Sequence, residues 1–231
     1  MPVAIITGAS AGFGRALARA LAHRGWTLVL DARGAPALES LATELSAVTR
    51  VMTVAGDVAD PDHRRALADA AQGAGSLDLL VNNASTLGAT PLPALADYPL
   101  PELSAVYETN VIAPLALIQL TLPLLRAADS AVVNLSSDAA VEPYPGWGGY
   151  GSAKAALDQL TAVLGAEQER VRCYAFDPGD MRTAMHQAAF PGEDISDRPE
   201  PQTVVPPLLR LLGDRPPSGR YRASDLAVTA S

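Results

Sequence analysis

The sequence predicts a doubly wound α/β fold, a parallel sheet with helices on both faces. Short apolar, β-branched runs alternate with segments whose apolar residues recur at helical spacing. The first run ends in a glycine-rich turn that opens directly onto a helix. A length of 231 residues, 48% of them hydrophobic, suits one α/β domain, so residues 1–231 are read as a single unit.

The elements follow in order. "PVAIIT" (2–7) reads as a buried parallel strand. "GRALARALAHRG" (14–25) is a helix stopped by Gly25, and "TLVLDA" (27–32) is a second strand. A helix over 35–48 carries Pro36 in its first turn. A strand over 50–57 precedes a helix at 60–75 that opens on an Asp cap and Pro61. "LDLLVNNA" (77–84) is the fourth strand. One long helix is expected over about 101–127, a strand at 130–137, a helix from about 148 to 168, and a sixth strand at 171–179. A Pro-rich segment at 184–207 reads as a substrate lid, with 184–202 its mobile part. A short helix, "VVPPLLRLLGD", and a last strand near 219–223 follow.

Composition excludes several classes. A net charge of −8 argues against nucleic acid or an anionic membrane as partner. No apolar run approaches the roughly 20 residues that span a bilayer, and "MPVAIITGAS" lacks a basic n-region and a cleavage site. The single cysteine, Cys173, excludes an internal disulfide and suits a reducing compartment, so a cytoplasmic location is expected. His23, His63 and His186 lie in separate segments without ligand spacing, so no metal site is expected.

The first turn, "TGASAGFG", holds Gly8, Gly12 and Gly14. Glycines beyond a strand's carboxyl end let the backbone approach a pyrophosphate seated on the next helix's N-terminus. A tight turn holding no ligand is the plainer alternative. Ser10 reads as a contact in this loop rather than a nucleophile, because no triad accompanies it. The second strand ends in "LDARG". An acid there would bond a ribose 2′-OH, whereas Arg33 would accept a 2′-phosphate. Asp31 and Ala32 should point to opposite faces. Arg33 therefore favours NADP(H), with NAD possible; the alternative for Arg33 is a solvated loop charge.

"GYGSAKAALDQL" (149–160) sets Tyr150 and Lys154 one helical turn apart, on one face. A surface Tyr and Lys would share that spacing. Together with "NNAS" (82–85), "NLSSDAAVEPYPGWGGYGSAK" (134–154), "DPGDMRT" (177–183) and the first turn, however, the sequence resembles the short-chain dehydrogenase/reductase superfamily, in its compact single-domain branch. The resemblance covers essentially the whole chain in the right order and implies a Rossmann-type fold. "TGASAGFGRALA", "PGWGGYGSAKAALD" and "SGRYRASD" are most similar to the sepiapterin reductase group and its bacterial relatives.

The resemblance implies roles. Tyr150 is the general acid/base, with Lys154 lowering its pKa and bonding the nicotinamide ribose. Ser137 holds the substrate carbonyl, and Asn110 holds a relay water. Gly8, Ser10, Gly12, Phe13, Gly14, Arg33, Asp57, Val58, Asn83, Ala84, Lys154, Pro178, Gly179 and Thr183 contact the cofactor, and Asn82 braces the sheet. Two positions depart from the family pattern: Ser85 replaces the usual glycine after "NNA", and Ala11 replaces a basic residue found in many NADP-dependent members. The aspartate that anchors a pterin in the sepiapterin reductase group falls at Ala223, with Asp225 displaced by two, so carbonyl reduction carries over and pterin specificity does not.

The expected substrate walls are Asp138, Glu142, Tyr144, Trp147, Asp180, Met185 and His186. The implied activity is NADPH-preferring reduction of a small-molecule ketone, diketone or aldehyde. The alternatives are an NAD-dependent alcohol dehydrogenase with Asp31 on the ribose, and a non-catalytic dinucleotide-binding regulator. The resemblance also implies a homodimer or homotetramer through the helices near 101–127 and 148–168.

Overall fold

Strand β1 (Val3–Ile6) is buried at every position, as are β2 (Thr27–Ala32), β4 (Leu79–Asn82) and β5 (Ala131–Leu135). With β3 (Val51–Ala55), β6 (Arg172–Asp177) and β7 (Gly219–Arg222) they form one parallel sheet, ordered β3-β2-β1-β4-β5-β6-β7. The structure, a computed structural model, describes residues 1–226. Strand alternation gives the sheet two apolar faces. Ala4, Ile6, Leu28 and Leu30 pack one way; Val3, Ile5, Val29 and Leu80 pack the other.

The first face is covered by α1 (Gly12–Ala22), α2 (Ala35–Leu45) and α8 (Val205–Asp214), through Leu17, Leu21, Leu38, Leu41, Leu208 and Leu211. The second is covered by α3 (Pro61–Ala74) and α5 (Ala113–Ala127), through Leu67, Leu117 and Ile118. The Asp60 side chain caps α3 by accepting from the Asp62 amide, and Gly75 ends it in the left-handed region, φ 95°. The chain order reverses between β1 and β4. At such a switch point a crevice opens beyond the carboxyl ends of the strands.

The long helix differs from the expectation. It is α4 (Leu100–Tyr107), a π-helical segment Glu108–Ile112, then α5. Pro114 has no N–H to give the Asn110 carbonyl four residues back, so the regular ladder breaks there. Over Leu100–Ala127 the helix is also long and apolar enough to span a bilayer by length and composition, with a mean hydropathy of 1.4 in an 18-residue window. The sequence reading missed this because Glu102, Glu108 and Asn110 interrupt the apolar run; Leu117, Ile118 and Leu125 of this helix are buried in the core. Helix α6 (Gly148–Glu167) packs against β6, close to its expected bounds. The Pro-rich segment begins as α7 (Ala184–Ala189).

Candidate active site

At the switch point lies a cavity of about 430 Å³. Its lining includes Gly8, Ser10, Gly12 and Phe13 of the first turn, Arg33 after β2, Asp57 and Val58 after β3, Asn83 and Ala84 after β4, and Thr183. The first turn is braced from below. Asn83 Nδ2 donates to the carbonyls of Thr7 (2.8 Å) and Gly8 (3.1 Å), and Thr7 Oγ1 accepts from the Asn83 and Ala84 amides. Gly8 is left-handed, φ +64°, and a Cβ there would lie 2.9 Å from Asn83 Nδ2. Gly14 sits under the turn rather than in the cavity, with its Cβ position 2.5 Å from the Gly8 oxygen. Helix α1 has no side-chain cap and no acid in its first turn, so its opening amides face the cavity free for an anion.

Asp31 forms part of the cavity floor, but both its oxygens are engaged. Oδ1 lies 2.6 Å from His63 Nε2, and Oδ2 accepts from the Gly8 amide at 3.3 Å. Burial raises the Asp31 pKa, and the His63 hydrogen bond opposes the rise. Asp31 is thereby tied to His63 and to the first turn. Arg33 is exposed at the rim and, among the described residues, pairs with no carboxylate. A turn without room for a Cβ, free helix amides and an open guanidinium fit a dinucleotide phosphate.

A second chamber of about 100 Å³ adjoins the first; Met181, Thr183 and Met185 line both. Ser137, Tyr150, Asp138, Trp147, Asp180 and His186 line it, so the sequence-predicted reacting groups and most of the predicted walls converge. Pro178 and Gly179 line this chamber, with Ser136, Ser137 and Tyr150, and not the dinucleotide cavity. Tyr144 and Glu142 line neither. The turn after Ala140 carries them to the surface, where the Tyr144 hydroxyl donates to Asp138 Oδ2 at 3.1 Å. Ser136, on the other side of the strand end, donates to Asp158 Oδ2 at 2.8 Å. Asn82 donates to Asn134 between β4 and β5, as a sheet brace should.

Tyr150 and Lys154 share the inner face of α6. Lys154 Nζ donates to the Leu135 carbonyl at 2.7 Å and lines neither cavity. Its expected effect on Tyr150 is not what prevails. Burial drives the Tyr150 pKa well above the ordinary phenol value, with the hydroxyls of Ser85 and Ser137 opposing the rise and the charges of Asp138 and Asp177 adding to it. Burial also lowers Lys154 to about 8, against the pull of Asp158. Desolvation disfavours both charged forms. Asn110 differs too. Its Oδ1 accepts from Ser85 Oγ (3.1 Å) and the Thr86 amide (2.9 Å), and its Nδ2 donates to the Thr86 carbonyl (2.8 Å). Its side chain thus fixes the loop bearing Ser85 and Thr86.

Several site residues escaped sequence reading. Arg220, on β7, joins three elements. Its Nη2 donates to the Ser137 carbonyl (3.0 Å) and to Asp177 Oδ2 (2.8 Å), and its Nε donates to Asp158 Oδ2 (3.0 Å). Asp177 Oδ1 in turn accepts from the Gly179 amide at 3.0 Å. Asp158 was visible in principle, one helical turn beyond Lys154 on the same face. Arg220 lies 83 residues from Ser137 and had no local signal. Ser85 was noticed only as a missing glycine.

The comparisons with known proteins show the family. The family model described as short chain dehydrogenase matches residues 2–194. Sepiapterin reductase of Xenopus laevis is 35% identical over 98% of this chain and 87% of its own length. Serine 3-dehydrogenase of Agrobacterium fabrum is 38% identical over 78% of this chain and 72% of its own. A short chain dehydrogenase structure from Escherichia coli CFT073, complexed with NADPH, superposes with a TM-score of 0.88 at 28% identity, covering 96% of each chain. The chain belongs to the short-chain dehydrogenase family of oxidoreductases.

Proposed function

We propose that this protein is an NADPH-preferring reductase that converts a small carbonyl compound to its alcohol. One observation carries the reading: Tyr150 and Ser137 line the smaller chamber together, and that chamber shares Met181, Thr183 and Met185 with the dinucleotide cavity. A protonated phenol is a donor, which suits reduction.

The nicotinamide cofactor, when bound, supplies the hydride. The chain's residues do the rest. Gly8, Gly12 and the free amides opening α1 take the pyrophosphate, while Arg33 takes the 2′-phosphate. The NADPH-bound structural neighbour and the sepiapterin reductase relatives support both the cofactor and the direction. Ser137 and Tyr150 face the substrate carbonyl together; the serine orients its oxygen and the tyrosine gives it a proton. Lys154, held on the Leu135 carbonyl, sits behind Tyr150 as a positive charge. Residues 184–207, whose helix α7 borders both cavities, close over the substrate. Exposed Ile112 at the end of the π-helical segment, Leu120 on α5 and Val163 on α6 support a homo-oligomer through these helices.

The test is Tyr150→Phe, assayed by NADPH oxidation with a panel of ketones, diketones and aldehydes. We expect NADPH binding to persist while turnover falls by about 10²-fold or more. Comparable turnover in parent and variant would overturn the mechanism. Absence of dinucleotide binding in the parent would overturn the reading as a whole.

A further inference from the structure

The smaller chamber has a one-sided chemistry. Leu87, Trp147, Met181 and Met185 give it apolar walls, and its charged side chains are Asp138 and Asp180. No lysine or arginine lines it among the described residues. Asp138 stands directly after Ser137. Its Oδ1 accepts from Ser137 Oγ (3.0 Å) and the Ala139 amide (2.8 Å), and its Oδ2 accepts from the Tyr144 hydroxyl. All three donors are neutral. Asp138 is therefore solvated by the protein, with its negative charge left uncompensated among the described residues.

A second observation points the same way. The His186 side chain is only 9% exposed and lines the chamber, with Nδ1 3.7 Å from Asp180 Oδ1. Its Nε2 is buried without a hydrogen-bond partner. That buried nitrogen is left for a bound molecule to partner. Trp147 adds an aromatic surface, its ring centroid 5.8 Å from those of both Tyr150 and Phe190. Carboxylates, an unpartnered ring nitrogen and aromatic faces are groups that can hold an organic cation. The two carboxylates repel an anion, and no lysine or arginine lines the chamber to receive it. Arg198 lies 3.5 Å from Asp180 and moderates that carboxylate, so Asp138 carries most of the discrimination.

We infer that the substrate is a small carbonyl compound bearing a protonated amine, which Asp138, Asp180 and His186 select against anionic carbonyl compounds. This inference rests on the reductase reading above. Two matched pairs test it: aminoacetone against butan-2-one, and levulinate against hexan-2-one. Each would be assayed for kcat/KM with NADPH. Each would also be titrated onto the enzyme–NADP complex by quenching of tryptophan fluorescence, which needs no turnover. We expect aminoacetone to bind at least about tenfold more tightly than butan-2-one, and levulinate more weakly than hexan-2-one. An ammonium also activates its neighbouring carbonyl, so the decisive number is the cation-to-neutral binding ratio in Asp138→Asn and Asp180→Asn relative to the parent. That ratio should fall toward one in Asp138→Asn, through the aminoacetone dissociation constant, and fall less in Asp180→Asn. Equal binding of aminoacetone and butan-2-one by the parent, or a ratio that survives both substitutions, would overturn the inference. Charge-selective binding without turnover would keep it and remove the reductase reading. Turnover without charge preference would do the reverse.

Discussion

Lys154 Nζ lies 5.4 Å from the centroid of the Tyr150 ring, and both side chains are buried. Proximity alone suggests that the ammonium draws the phenol toward its anion. Burial opposes charge on either group and prevails on both.

A pH dependence follows. The Lys154 pKa falls from 10.5 in the unfolded chain to about 8 in the folded one. Between these values the unfolded chain keeps a proton that the folded chain has released, so Lys154's contribution to stability improves as pH rises through that window. Below about pH 8 the cost of burying the ammonium is constant. Activity runs the opposite way where the ammonium is needed. We expect kcat/KM to decline above about pH 8, and Lys154→Arg, whatever its absolute rate, to lose that decline, because a guanidinium stays charged. A pH–rate profile of the parent flat to pH 10 would refute the assignment.

Arg220→Ala should separate positioning from folding. The side chain ties the Ser137 carbonyl, Asp177 and Asp158 together. Its loss lets Ser137 and the Pro178–Gly179 turn drift apart, and displacements near 1 Å cost roughly 10²-fold in rate. We expect kcat to fall by about ten- to a hundredfold while the NADPH dissociation constant changes little, with partial recovery of kcat on adding guanidinium ion. Equal losses in both constants, without rescue, would mean a general loss of structure.

Arg33→Ala should weaken NADPH by about tenfold and leave NADH nearly unchanged, since an exposed charge-assisted contact to one phosphate is removed. Fluorescence titration of both cofactors measures the difference. An equal change in both would show that Arg33 meets no 2′-phosphate.

Gly151→Ala tests the seating of α6. A Cβ there would lie 2.5 Å from the Ala139 carbonyl oxygen, a backbone atom that cannot rotate away. The helix bearing Tyr150 and Lys154 would have to move. We expect about 1–3 kcal/mol of destabilisation and a marked loss of kcat, measured by denaturant unfolding and steady-state rates. Unchanged values of both would show that the contact relaxes freely.

The strand and helix alternation was legible in sequence because each buried strand is apolar on both faces, and because Asp60, Pro61 and Gly75 mark the limits of α3. Ser137, Tyr150 and Lys154 were legible through their spacing and through the company of four matched stretches. What escaped depends on contacts between distant segments. His63 reaches Asp31 across 32 residues, and Arg220 reaches Ser137 across 83. Tyr144 sits six residues from Tyr150 in the expected wall, yet an intervening turn carries it to the surface. The direction of the Tyr150 shift escaped for another reason: it depends on how deeply the phenol is buried, which spacing does not report.

The placement of Arg220 on β7 has a consequence for how the molecule is made. The glycine turn, Ser137 and Tyr150 all leave the ribosome before the strand that braces them. A nascent chain can fold much of its sheet early and still hold an unbraced reaction centre. Competence therefore arrives late in synthesis, when Gly219–Arg222 docks along β6.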